Sequence, residues 1–140
     1  MKRVIIFVLS LLCMIVCSCE KAISPQAQFD GKWDVVITTT QNVVGDNTQT
    51  TQEDNGWVYC FGTDGNGYRT KTGFDFRDEF QYQFDRDAQK LTLIDGCIIH
   101  SYTVEVLKDN TFQLKVSYHW VTIEGDTIDG VMVFNGRKKE

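Results

Sequence analysis

From Phe29 onward the chain alternates apolar and polar residues instead of spacing its apolar ones three or four apart. Phe112, Leu114, Val116, Tyr118 and Trp120 share one parity, and Thr111, Gln113, Lys115, Ser117 and His119 share the other. That is the pattern of a strand with one dry face and one wet face. Phe80-Tyr82-Phe84 against Glu79-Gln81-Gln83-Asp85 repeats it, as does Tyr102-Val104-Val106 against Ser101-Thr103-Glu105. Turn signals separate these runs at Asp64-Gly65-Asn66-Gly67, Asp85-Arg86-Asp87-Ala88, Asp95-Gly96, Lys108-Asp109-Asn110 and Glu124-Gly125-Asp126. The pattern predicts about eight strands, near 31–40, 57–63, 67–74, 78–84, 89–94, 98–107, 111–122 and 127–135, with no helix-period stretch. A meander of so many strands hides its edges most economically by closing on itself. The expected fold class is therefore all-β, an antiparallel up-and-down meander barrel. Between the first two strands, residues 41–56 (QNVVGDNTQTTQEDNG) are polar and turn-rich, which predicts a long first loop, a functional lid or a simply mobile segment.

The chain begins differently. Met1, Lys2 and Arg3 supply positive charge, and the run from Val4 to Cys17 is apolar, of a length that suits a signal-peptide core and falls short of the ~18 residues of a membrane span. Val16-Cys17-Ser18-Cys19 resembles the lipobox of bacterial lipoproteins. The resemblance implies that residues 1–18 are a signal peptide removed before Cys19, and that Cys19 carries acyl chains such as palmitate. Two or three chains hold a protein to a membrane stably where one does not. Residues 19–28 then form a polar tether with the chain's only proline, Pro25, and residues 29–140 form the barrel domain. Glu20 stands where an aspartate would favour inner-membrane retention, so the implied location is the outer membrane, facing the periplasm.

Cleavage would remove Lys2 and Arg3 and no acid, taking the basic residues from 14 to 12 against 19 acidic ones, a net charge of about −7. Such a surface repels phosphate backbones, so nucleic acid is not an expected partner.

The body resembles the lipocalin-like domains of bacterial lipoproteins, within the wider calycin group of small barrels. The likeness rests on Gly31-Lys32-Trp33 opening the first strand, on the long first loop at 41–56, on the pair 102–107 and 111–116, and on Val133-Phe134 followed by Arg137. It implies that Trp33 closes one end of the barrel with a basic side chain, Arg137 or Lys138, stacked over it. Inward parity collects Trp33, Trp57, Tyr59, Phe61, Phe80, Tyr82, Phe84, Tyr102, Phe112, Tyr118, Trp120 and Phe134. An eight-stranded barrel is just wide enough either to be filled by side chains or to hold one small ligand, and so many rings suit either outcome. His100, with Tyr59, Tyr82, Tyr102, Tyr118 and Trp120, is the candidate lining of a pocket that gives an apolar molecule a few directed hydrogen bonds. The competing reading of His100 is a core histidine satisfied by its neighbours, and His119 falls on the outward parity.

Other chemistry finds little support. Aligned to an EF-hand, TDGNGYRTKTG puts Gly62 and Gly73 where Asp and Glu are needed, so it reads as a hairpin turn. Asp75, Asp78 and Glu79 gather acid at another turn, which reads as a solvated turn in preference to a carboxylate pair for glycoside hydrolysis. The two histidines lie on opposite faces, so no metal site is expected. An oxidising envelope permits a disulfide between Cys60 and Cys97, but the strands that carry them are not neighbours in a meander, which weighs against a bridge. There is no nucleophile elbow, phosphate-binding glycine loop or zinc signature. The expectation is a non-enzymatic, cofactor-free lipoprotein that binds a small apolar or amphipathic ligand. The alternative is a filled barrel that grips an envelope protein through its loops, chiefly 41–56.

Overall fold

The computed structural model describes residues 28–46 and 48–140. The expected signal peptide, Cys19 and the expected tether before Gln28 lie outside the described residues. Eight antiparallel strands follow in order: β1 (Gly31–Val43), β2 (Gln49–Phe61), β3 (Asn66–Lys71), β4 (Asp78–Asp85), β5 (Lys90–Asp95), β6 (Ile98–Leu107), β7 (Thr111–Val121) and β8 (Thr127–Lys138). Each pairs with its chain neighbours, and β1 pairs with β8, which closes an up-and-down barrel. The alternating pattern and the turn residues anticipated this fold. Connections β1–β2, β3–β4, β5–β6 and β7–β8 fall at one end, and the remaining three fall at the other with both ends of residues 28–140. Among the described residues the ladder closes on itself around one core, so that 28–140 has the makings of a folding unit.

The predicted long first loop is not a loop. β1 runs on to Val43 and β2 starts at Gln49, with Thr38↔Glu53, Thr40↔Thr51 and Asn42↔Gln49 in register, so a short turn replaces most of 41–56. β1 is held on its other side too, through Gln41↔Gly130 and Val43↔Ile128. Threonine-rich segments suit the pleated backbone. Here the hairpin rises past the packed core, so neither face needs apolar residues and the alternation disappears. A bulge lies between Val35↔Trp57 and Ile37↔Asp54. It takes up one extra residue of β2 around Asn55-Gly56, where Gly56 has φ +84°, and so both Trp57 and Asp54 face inward.

The closed half is filled. Phe29, Trp33, Val35, Phe61, Phe80, Tyr82, Phe84, Leu91, Phe112 and Leu114 are buried there. Phe29, the first residue of the expected barrel domain, precedes β1 yet is fully buried. Its ring centroid lies 5.1 Å from Phe84, 5.5 Å from Phe61 and 5.8 Å from Phe112, and its carbonyl accepts the Trp33 indole N–H at 2.7 Å. Phe29 and Trp33 together stopper the barrel.

The cation above Trp33 is Lys138, not Arg137. Trp33 pairs with Lys138 while Asp34 pairs with Arg137, so alternation sends Arg137 to the outside. Lys138 Nζ sits 5.5 Å from the Trp33 ring centroid. The stem of Lys138 passes so close to Gly31 that a Cβ there would meet its Cε at 2.7 Å, and Gly31 has φ +115°. Glycine is thus required there for backbone angle, while the flexible end of Lys138 could yield the space. Cys60 and Cys97 are free thiols, Cys60 half-buried on β2 and Cys97 exposed in the β5–β6 turn. The disulfide named from sequence is absent, in keeping with strands that are not neighbours.

Candidate functional site

Along each strand the buried residues run out toward the end carrying the β1–β2 and β7–β8 turns. There the barrel opens into a cavity of ≈ 770 Å³. Its floor is made by Ile37, Tyr59, Tyr102 and Phe134. The Tyr102 and Phe134 rings meet edge to face at 5.1 Å, one of the favoured aromatic geometries.

The two sides of the cavity differ in chemistry. On β7 and β8 it is apolar and aromatic, with Val116, Tyr118, Trp120 and Met132, and β1 adds Ile37 with Thr39 and Gln41 nearer the opening. Tyr118 and Trp120 stack at 4.9 Å and 27°. Tyr118 lies flat on Gly130, where a Cβ would fall inside the phenol ring, and its hydroxyl accepts a hydrogen bond from Gln41 Nε2 at 2.9 Å. A glycine beneath and an amide at the tip therefore fix that ring.

The facing side, on β2, β3 and β6, is polar. Asp54 accepts from Lys71 Nζ at 2.5 Å through Oδ1 and from Trp57 Nε1 at 2.8 Å through Oδ2. Those two bonds, led by Lys71, hold the Asp54 carboxyl below its usual range. Lys71 also lies 5.2 Å from the Trp57 ring centroid. Next to this pair, Arg69 donates from Nε to Asp78 at 3.2 Å and from a terminal nitrogen to Asp95 at 3.1 Å. Burial works against its charge, but the neighbouring Tyr59 and Asp78 outweigh that and raise its pKa. Burial also raises Tyr59 and pushes Tyr102 up to about 12, with Tyr59 adding to the shift and Arg69 opposing it. At neutral pH the cavity therefore presents neutral phenols beside charges that are already paired.

Of the residues the sequence nominated, Tyr59, His100, Tyr102, Tyr118 and Trp120 all line this cavity. His100 stacks at 6.4 Å and 26° on Tyr102 and is half-buried. Tyr82 does not belong with them. It is buried in the filled half, with its hydroxyl donating to the Gly62 carbonyl at 2.5 Å, because the parity that turns it inward says nothing of height along the barrel. His119 points outward and meets Asp129 at 2.5 Å on the exposed surface. Sequence reasoning missed Asp54, Arg69 and Lys71, since charged positions were taken for the wet face. The signal was present in register: Gly67, Arg69 and Lys71 lie opposite Phe61, Tyr59 and Trp57, the inward residues of β2. The segment once compared with a calcium loop is the β2–β3 turn, where Gly62 N–H donates to the Asn66 carbonyl at 2.8 Å and Asp64 accepts from the Asn66 amide at 3.1 Å. Among the described residues no group of three or more His, Cys, Asp or Glu is placed to hold a metal ion.

Compared with family models, with curated proteins and with solved structures, the chain matches none. What the site does must be argued from its own geometry.

Proposed function

We propose that this protein is a membrane-tethered barrel that binds one small amphipathic molecule in its open mouth. The observation that carries the reading is the ≈ 770 Å³ cavity left above a packed core, within the range of small-molecule sites. Rings that were candidates for filling the barrel are divided: those of the closed half fill it, while Tyr118, Trp120 and Trp57 stand around the opening. The two unlike sides select a molecule with an apolar face and a hydrogen-bonding edge. An uncharged molecule is favoured, because both oxygens of Asp54 are engaged and Arg69 already serves two carboxylates. A charged ligand would have to compete with one of these part-exposed pairs, whereas an uncharged one leaves them intact.

The lipobox-like Cys19 supports attachment of the mature protein to a bacterial membrane, and the likeness to lipocalin-like domains is in keeping with this use of a small barrel. Such a role calls for neither a cofactor nor a catalytic group. The alternative, gripping an envelope protein through a long mobile loop at 41–56, loses its chief support because that segment is paired in β1 and β2. The test is to titrate residues 28–140 with matched neutral, anionic and cationic amphiphiles while following tryptophan emission. Saturable binding of the neutral member, weaker for both charged ones, is expected. No saturation by any of them would overturn the proposal.

A further inference from the structure

Every large apolar side chain that stands exposed among the described residues lies at the mouth end. They are Val44 in the β1–β2 turn, Phe74 in the β3–β4 connection, Ile98 and Ile99 after the β5–β6 turn, and Trp120, Val121 and Ile123 around the β7–β8 turn. Ile123 is wholly exposed and Trp120 nearly half so. All four hairpin tips of that end carry at least one, and the cavity opens between them. Exposed apolar groups scattered over a surface need no explanation, but a set confined to one end of the molecule marks a contact surface.

The charges on the same tips narrow the partner. Asp46, Asp75, Glu124 and Asp126 are exposed there. Of the bases here, Arg77 lies over the Tyr68 ring at 3.7 Å and against Glu79 at 3.4 Å on the barrel wall, and Lys71, 5.5 Å from the Phe74 ring centroid, is held by Asp54 at 2.5 Å. A rim of apolar side chains and carboxylates is repelled by an anionic surface and lacks the basic residues of an anionic-lipid binder. Four separate tips around an opening also present no single groove for a peptide or helix. A flat, fluid, apolar phase meets all four at once with no demand for matching shape.

We infer that the rim docks reversibly onto the surface of an uncharged, zwitterionic lipid bilayer, with the cavity opening toward the acyl chains. This contact is separate from the anchor proposed at Cys19, because the chain before Phe29 leaves from the closed end. It is also independent of whether the cavity takes a ligand, though docking would let an amphipathic molecule pass between bilayer and barrel without crossing water.

The experiment is flotation of residues 28–140, which lack the anchor, with phosphatidylcholine vesicles. The segment should float with them. Ile123→Asp, together with Phe74→Asp, should lower the bound fraction at least about tenfold. Gln83→Asp, on an exposed outward position of β4 far from the rim, should leave it unchanged. Replacing half the lipid by phosphatidylglycerol should weaken binding at low salt, and added salt should restore it. Brominated acyl chains should quench emission from Trp120, and Trp120→Phe should remove most of that quenching. Thermal melts confirm that each variant is folded, as expected for such exposed positions. Failure of the folded segment to float, or flotation that survives both rim substitutions, overturns the inference. Tighter binding to phosphatidylglycerol at low salt would do so as well.

Discussion

Phe29→Ala should be among the most destabilising single changes in the domain, although the residue precedes the first strand. The side chain is fully buried and packs on Phe61, Phe84 and Phe112 at 5.1–5.8 Å. Truncating a buried phenylalanine costs about 3–5 kcal/mol once the cavity is included, and three ring contacts of roughly 0.5–1.5 kcal/mol each place this site toward the upper end. A domain of this kind is stable by only ~5–15 kcal/mol, so much of the total would go. With a urea m-value of about 2 kcal/mol/M, the unfolding midpoint should fall by about 2 M. The assay is urea unfolding of residues 28–140 followed by tryptophan fluorescence. Trp33→Phe should cost less through the backbone contact alone, about 1 kcal/mol for the indole N–H that Phe29's carbonyl accepts at 2.7 Å. A Phe29→Ala loss below about 1 kcal/mol would refute the idea that Phe29 stoppers the barrel, and would return the residue to the tether.

Lys138→Ala should cost about 1 kcal/mol through lost packing and cation–π attraction over Trp33, while Arg137→Ala should stay within about 0.5 kcal/mol; paired denaturation curves decide, and the reverse order would restore Arg137 as the closing residue. At alkaline pH the domain should weaken from pH ~10 upward. Tyr82 and Tyr102 are pushed up to about 12 by burial, so between those values the unfolded chain releases phenol protons that the folded one keeps. Each then contributes a loss of about 1.4 kcal/mol per pH unit, and stability below pH 10 should be free of this effect; ultraviolet titration of tyrosinate with parallel melts checks it. In cells, Cys19→Ser should abolish incorporation of labelled palmitate, and equal labelling of the variant would remove the lipoprotein reading.

The fold was readable because most of the barrel has one face in water and one in a core, and period-two alternation reports that difference directly. Where the difference vanishes, so does the signal. Gln41–Val43 and Gln49–Gly56 are strand with little to bury, and polar residues on both faces look like a loop. The stopper role of Phe29 was not legible for another reason: one apolar residue beside a polar tether has no period, and its burial depends on rings from β2, β4 and β7. Four cavity-lining aromatics, Tyr59, Tyr102, Tyr118 and Trp120, and His100 were legible from parity alone. Height along the barrel was not, because the stagger of strands is set by pairing register, and Tyr82 was misplaced accordingly. The ionic side, Asp54 with Lys71 and Arg69 with its two carboxylates, was hidden because inward charges become tolerable only through partners on other strands.

The measurement that bears most directly on the cavity as a binding site compares residues 28–140 with the same segment carrying Val116→Trp. Val116 is half-buried on the apolar side of the mouth, and an indole there occupies the space without disturbing the packed closed half. Each is titrated with the uncharged probe N-phenylnaphthylamine. The account predicts saturable, one-to-one binding by the unaltered segment and its loss in the variant, with the variant's melting transition retained. Absence of saturable binding by the unaltered segment, or equal binding by both, would contradict it.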